Sequence, residues 1–276
     1  MKKTENPPRE LARLLANQFS AHPAVDAIGL AGSLTTGAGD AGSDIDLYVY
    51  TTAPIPLSER ESIVSARGAS RADLNLTLWD LGDEWFDAPS GIEVDIIYWS
   101  PSWISAQIDR VLVQHQASLG YTTCFWHTIR NSQILFDRSG WLHALKTKSD
   151  QPYPEALRQA IIAKNHSVLR RVIPAYRNQI EKAIKRSDLV SINHRVAALL
   201  ASYFDVLFAL NRVLNPGEKR LVKYAIDHCA RLPAGMAVQV EDVLRAAAEG
   251  NPVLLEKIDS LLDNLDDLLK KGGFHV

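Results

Sequence analysis

Asp44-Ile45-Asp46 is the stretch of this chain best equipped to do chemistry. It opens an apolar run to Tyr50 that is rich in strand-forming residues, and successive side chains of a strand point to opposite faces. Asp44 and Asp46 therefore project together, while Ile45 and Leu47 turn the other way into a core. Two carboxylates held so close repel each other, and burying charge is costly unless it is paired. A hard divalent cation removes the conflict. Mg²⁺ takes oxygen ligands, commonly one or two carboxylates plus phosphate oxygens, so the pair implies a metal with a phosphorylated ligand.

Gly32-Ser33 supplies a second half to such a site. It follows an apolar run from Ala27 to Ala31 and precedes a glycine-rich spacer that ends at Ser43. Glycine lets the backbone come close to a phosphate, and a serine at the start of the next turn offers its hydroxyl and N–H to anionic oxygens. Further on, Gly91 to Trp99 reads as another strand, with Glu93 and Asp95 on one face and Val94 and Ile96 on the other. Asp-X-Asp alone is common in solvated strands, and Gly-Ser alone is ordinarily a turn. Their succession at this spacing is far more specific than either.

At these residues the chain resembles the nucleotidyltransferase superfamily of DNA polymerase β, in its small-substrate branch that includes aminoglycoside and lincosamide nucleotidyltransferases. The resemblance rests on Gly32-Ser33, on Gly37 and Ser43 in the spacer, and on Asp44-Ile45-Asp46. It implies two Mg²⁺ ions held by Asp44, Asp46 and a third carboxylate, for which Asp95 is the candidate. It also implies ATP as donor, bound in part by Gly32, Ser33 and Ser43, with AMP passed to a hydroxyl of a small-molecule acceptor. Asp95 either completes the metal site or takes the acceptor proton, and Glu93 is the alternative base. A second resemblance, over Asn211 to Tyr224, is to uncharacterised proteins that join such a domain to a helical one. Related antibiotic nucleotidyltransferases hold the triphosphate with a basic residue from that part, which makes Lys219 the candidate, with Lys223 one turn later.

The elements that must position these groups can be read along the chain. Helices are expected over Pro8 to Ser20, Ser58 to Ala66, Ser100 to Gln116 and Thr123 to Asn131, and strands over Val25 to Ala31, Leu74 to Trp79 and Gln133 to Phe136. The intervening LGDEWFDAPSG reads as an acidic turn, either solvated or a wall for a cationic acceptor, through Asp80, Asp83, Glu84 and Asp87. Beyond Ser149 to Pro154 only helical signals remain: a long helix from Pro154 to Lys185 kinked at Pro174, another from Leu189 to Leu214, one capped by Asn215-Pro216 and running to Arg231, then Met236 to Glu249 and Val253 to Leu269. The expectation is an α+β architecture, a mixed-sheet catalytic domain over 1–150 followed by an all-α bundle over 151–276.

Composition narrows the partners. The 276 residues are 46% apolar, enough to fill a core, and 30 basic residues against 32 acidic give a net charge of −2. A dedicated nucleic-acid binder ordinarily has a basic excess, so a long polyanion is disfavoured. Cys124 and Cys229 match no disulfide or zinc pattern. His115 and His127 have no partner at metal-ligand spacing. No run reaches transmembrane length and the first residues lack a signal-peptide core, so a cytoplasmic protein with no membrane partner is expected. Three other readings stand beside transfer to a small molecule: adenylylation of a protein, as antitoxin members of the superfamily do, nucleotide binding without turnover, and a nucleic-acid polymerase or tRNA-modifying relative, which the near-neutral charge disfavours.

Overall fold

A computed structural model describes residues 7–36, 43–78 and 80–274, apart from the side chains of Ser33 and Thr36. Gly37 and Trp79 lie outside the described residues. The architecture is α+β, one mixed six-stranded sheet and a long helical region. The chain divides into two compact units, Met1–Asp109 with Thr128–Gln151, and Arg110–His127 with Pro152–Val276. The segment 110–127 thus groups with the helices that follow it.

Along the chain, α1 (Pro7–Ser20) leads into β1 (Val25–Leu30), the single turn α2 (Ser33–Thr36) and β2 (Ile45–Thr51). Then come α3 (Leu57–Ala66), β3 (Arg71–Leu76), β4 (Gly82–Phe86), β5 (Glu93–Trp99), α4 (Pro101–Leu112), α5 (Cys124–Asn131), β6 (Gln133–Asp137) and α6 (Trp141–Ser149). The sheet order is β3-β4-β5-β2-β1-β6. Only β2 and β5 run parallel; the other neighbours are antiparallel. Parallel pairing needs a crossover, here the stretch α3-β3-β4, whose hairpin lies at the far edge of the sheet.

One face of the sheet carries the core. Ile45, Leu47 and Val49 from β2, Val94 and Ile96 from β5, and Ile28 from β1 pack with Leu11, Leu15 and Phe19 of α1 and Val64 of α3. The opposite face of β2 presents Asp46, Tyr48 and Tyr50, as alternation requires. Beyond the carboxylates this face is aromatic: Tyr48 stacks on Trp99 at 4.4 Å between ring centres, Trp99 meets Trp103 at 5.3 Å, and Tyr50 meets Trp141 at 5.1 Å. Ser100 caps α4 by accepting from the Trp103 N–H at 3.1 Å, as its place before Pro101 leads one to expect. The helix stops at Leu112, short of Gln116.

The acidic turn is in fact β4, and two of its carboxylates are buried. Asp83 and Asp87 are both 0% exposed. Asp83 accepts from Arg60 Nη1, from the Tyr98 hydroxyl at 2.7 Å and from the Asn75 N–H at 2.8 Å. Asp87 accepts from Arg67 Nε at 2.7 Å and from Ser90. Asp80 accepts from the Trp99 indole at 2.9 Å. The strand alternates inward Asp83, Trp85 and Asp87 with outward residues, a period of two that the charges conceal. Neither the solvated turn nor the acid-lined wall is formed from these four residues together: Asp83 and Asp87 are buried in ion pairs, while Asp80, through the Trp99 indole, and Glu84, opposite Asp95, lie on the other face. The strand before it, β3, also starts and ends earlier than the Leu74 to Trp79 pattern suggests.

The second unit contains α7 (Glu155–Arg170), α8 (Tyr176–Lys185), α9 (Leu189–Asn211), α10 (Leu221–His228), α11 (Met236–Glu249) and α12 (Val253–Lys271). Pro174 breaks the expected long helix rather than kinking it. The side chains of Asn178 and Gln179 donate to the carbonyls of Val172, Ile173 and Pro174 in the gap. Asp188 caps α9, accepting from the N–H and hydroxyl of Ser191 at 3.0 and 2.6 Å. From Ala201 to Leu210 every residue of α9 is buried. Among the described residues no helix is long and apolar enough to cross a membrane.

A buried carboxylate ties this unit together. Asp205, inside α9, accepts from the Thr122 hydroxyl at 2.6 Å, the Thr122 N–H at 3.2 Å, the Asn215 amide at 3.0 Å and the Asn165 amide at 3.4 Å. Burial still holds its carboxyl above the usual range. The Asn215 N–H donates to the Thr123 hydroxyl at 2.8 Å. Asn215 is drawn inward by these bonds and does not cap a helix; α10 starts only at Leu221 and ends at His228.

His127 gives this unit a pH signature. Its ring meets Tyr224 edge-on at 5.9 Å, and Tyr224 lies 4.2 Å from His228. Burial, with the His228 charge acting in the same direction, pushes the His127 pKa from 6.5 down to about 4. The unfolded chain takes up that proton first, so the stability contributed is complete above pH 6.5 and is lost as pH falls towards 4. The thermal midpoint is expected to drop over this window more steeply in the wild type than in His127→Phe, which a pH series of melting curves measures.

Candidate active site

The site is assembled by β1, β2 and β5. β1 runs out at Leu30, and the ladder is extended one step by the Ala31 N–H, which donates to the Asp46 carbonyl at 3.0 Å. Gly32 then turns the chain with a φ of +67°, in the left-handed region open to glycine. A Cβ at this position would lie 1.7 Å from Asp46 Oδ2. Only glycine lets the turn sit against that carboxylate. The backbone of α2 follows at once, with the Thr35 N–H and hydroxyl donating to the Gly32 carbonyl at 3.3 and 3.1 Å.

Parallel pairing of β2 with β5 brings Asp46 into register with Asp95. Both are half-buried. Asp44 stands two residues before Asp46, one ahead of the first strand residue, and is half-buried too, as is Ser43. Glu93 is exposed and lies two residues from Asp95 on the same strand, hence on the same face.

The register continues beyond the expected pair. Asp95 is opposite Glu84 on β4, and Glu84 is opposite Asp73 on β3. Asp73, Glu84, Asp95 and Asp46 thus form one row across four neighbouring strands. Like charges directly opposite each other destabilise a sheet. Asp73 is offset by exposed Arg71 at 3.1 Å. Carboxylates aligned in one row favour a cation beside them. Sequence reading missed Asp73 because pairing partners are not visible in one strand.

Among the described residues no group of three or more His, Cys, Asp or Glu side chains is placed to hold a metal ion together. The in-register pair, with a glycine turn against one carboxylate, fits a cation of another habit. Mg²⁺ keeps several waters and is commonly held by one or two carboxylates plus substrate phosphates.

Lys219 lies in the second unit, exposed, in the turn before α10 rather than within the helix as expected. Lys223 is on α10, its ammonium 2.8 Å from Asp227.

Residues 123–221 match a family described as "Domain of unknown function (DUF4037)". No curated protein matches the chain. Among solved structures it is similar to a nucleotidyltransferase-like protein from Exiguobacterium sibiricum 255-15, at 13% identity over 95% of this chain and 74% of that one, with a TM-score of 0.43. It is also similar to the Thermotoga maritima CCA-adding enzyme complexed with tRNA, at 14% identity over 98% and 83% of the two chains, with a TM-score of 0.31.

Proposed function

We propose that the protein is a Mg²⁺-dependent nucleotidyltransferase that passes a nucleoside monophosphate, AMP from ATP, to a hydroxyl of a small molecule, with residues 1–150 as the catalytic domain and 151–276 as a helical accessory domain. The observation that carries this reading is the register of Asp46 with Asp95 beside a glycine turn that no larger residue could make. Asp44, Asp46 and Asp95 would hold the metal, two ions in the full complex. Bound magnesium neutralises the triphosphate and polarises the acceptor oxygen.

The chain's own groups do the rest. The Gly32-Ser33 turn presents backbone N–H groups to phosphate oxygens and, with Ser43, orients the donor so that pyrophosphate leaves in line. Where Asp95 ligates metal, Glu93 on the same face accepts the proton of the acceptor hydroxyl at a carboxylate oxygen; where it does not, Asp95 itself takes that proton. Lys219 is assigned to the triphosphate on the strength of the family resemblance alone.

The test is incubation of the protein with labelled ATP, Mg²⁺ and a panel of aminoglycosides, lincosamides and cell metabolites, followed by detection of an adenylylated product. A labelled protein in place of a labelled small molecule would favour the adenylylation of a macromolecule. Failure to turn over any acceptor, with ATP bound normally, would leave a binding module.

Gly32→Ala separates the role of the turn from that of the carboxylates. The added methyl must displace the Asp46 carboxylate, and the left-handed φ adds about 1 kcal/mol of strain. Transfer is expected to fall by about 100-fold or more, comparable to misplacing a reacting group by an ångström. Urea unfolding should show a loss of only ~1–2 kcal/mol.

A further inference from the structure

The helical unit contains a cleft of about 600 Å³ between α7 and the turn after α12, bordered by Arg158, Gln159, Ile162, His166, Arg171 and Phe274. Its one carboxylate, Glu155, is already engaged on both oxygens, by Arg158 Nη1 and by Arg212 Nη2, each at 2.9 Å. His166 is fixed through Nε2 to Asp266 at 2.6 Å, and Asp266 also receives Arg170. Among the described residues, no side-chain partner is found for Arg171 or Gln159, or for the second ring nitrogen of His166.

Arg158 is the unusual member. It is 6% exposed, and its Nε is buried with no acceptor. Its Nη2 reaches only the Leu210 carbonyl at a long 3.4 Å, and its flat face lies 4.6 Å from the centre of the Phe274 ring. Buried guanidinium donors are ordinarily satisfied, and Arg158 borders the cleft with one donor unspent and another weakly held. The planar fork matches carboxylate and phosphate groups.

We propose that this cleft is a binding site for a small organic anion, one carboxylate or phosphate on a compact apolar body. Arg158 and Arg171 receive the charged group, the Gln159 amide adds a donor, and Ile162 and Phe274 cover the apolar part. The site is separate from the carboxylate row and does not depend on the activity proposed for it.

The experiment is calorimetric titration of the full chain, in metal-free buffer with EDTA at constant ionic strength, with inorganic phosphate, phenyl phosphate and benzoate. Saturable one-to-one binding is expected for phenyl phosphate or benzoate, and whichever binds tighter identifies the charged group. Arg171→Ala should weaken it by about tenfold or more, the usual consequence of losing a charge-assisted hydrogen bond. Arg158→Lys keeps the charge, removes the fork and should weaken it likewise, with an unchanged melting temperature verifying the fold. Asp46→Asn should bind as the wild type does. Absence of saturable binding, wild-type affinity in both arginine variants, or loss of binding in Asp46→Asn would overturn the proposal.

Discussion

Asp46→Asn is expected to reduce nucleotidyl transfer by about 10³-fold or more, since the loss of several kcal/mol of charge stabilisation corresponds to a factor of ten per 1.36 kcal/mol. The amide is isosteric and keeps the Gly32 turn in place, so the change is electrostatic. The fold should not suffer. Asp46 stands in a row with Asp95, Glu84 and Asp73, and removing one of several facing charges relieves repulsion. The thermal midpoint without metal is therefore expected to stay level or rise. Melting curves with and without Mg²⁺ and ATP, run beside the product assay, read both effects. The stabilisation that Mg²⁺ with ATP confers on the wild type should be lost in the variant. Full activity in Asp46→Asn would refute the assignment of the carboxylates.

The largest effect on stability is expected at Arg60. This guanidinium is 3% exposed and donates to Asp83 and to the Asn75 and Ile55 oxygens, with its charge 5.1 Å from the centre of the Tyr98 ring. Removing it strands a fully buried carboxylate. Breaking a buried pair from one side costs about 3–5 kcal/mol. Arg60→Met should lose that much in urea unfolding. The double variant Arg60→Met with Asp83→Leu, which leaves no buried charge behind, should recover most of the loss. Equal losses in the single and double variants would mean that the pair contributes through packing and not through charge. Because β4 lies between β3 and β5, a weakened Arg60–Asp83 pair should also reduce transfer before the molecule unfolds.

Much of this architecture was legible along the chain. Helices with a clear apolar stripe, such as α1 and α11, lie where periodicity put them, and Ser100-Pro101 opened α4 by local capping chemistry alone. The misreadings share one cause. β4 reads as a turn because Asp83 and Asp87 look like solvent-facing residues until Arg60 and Arg67 arrive from elsewhere in the sequence. Asn215-Pro216 has the composition of a helix cap, but Asp205 and Thr123 claim the asparagine first. The helix α6 was not foreseen, since the acceptor for its first N–H groups is Asp137, placed by the end of β6. A polar group whose partner is distant in sequence is assigned to solvent by any local reading.

The same division holds at the carboxylates. Alternation along a strand is a local property, so the chain by itself determined that Asp46 turns away from Ile45 and Leu47 and that Glu93 and Asp95 share one side of another strand. Tertiary structure alone decided that these sides are one. That outcome depends on β5 returning from the β3-β4 hairpin to lie between β4 and β2, parallel to β2, and on Gly32 bending against Asp46. Both are set by hydrogen bonds and packing between segments tens of residues apart, and such pairing leaves no mark in the sequence of either strand.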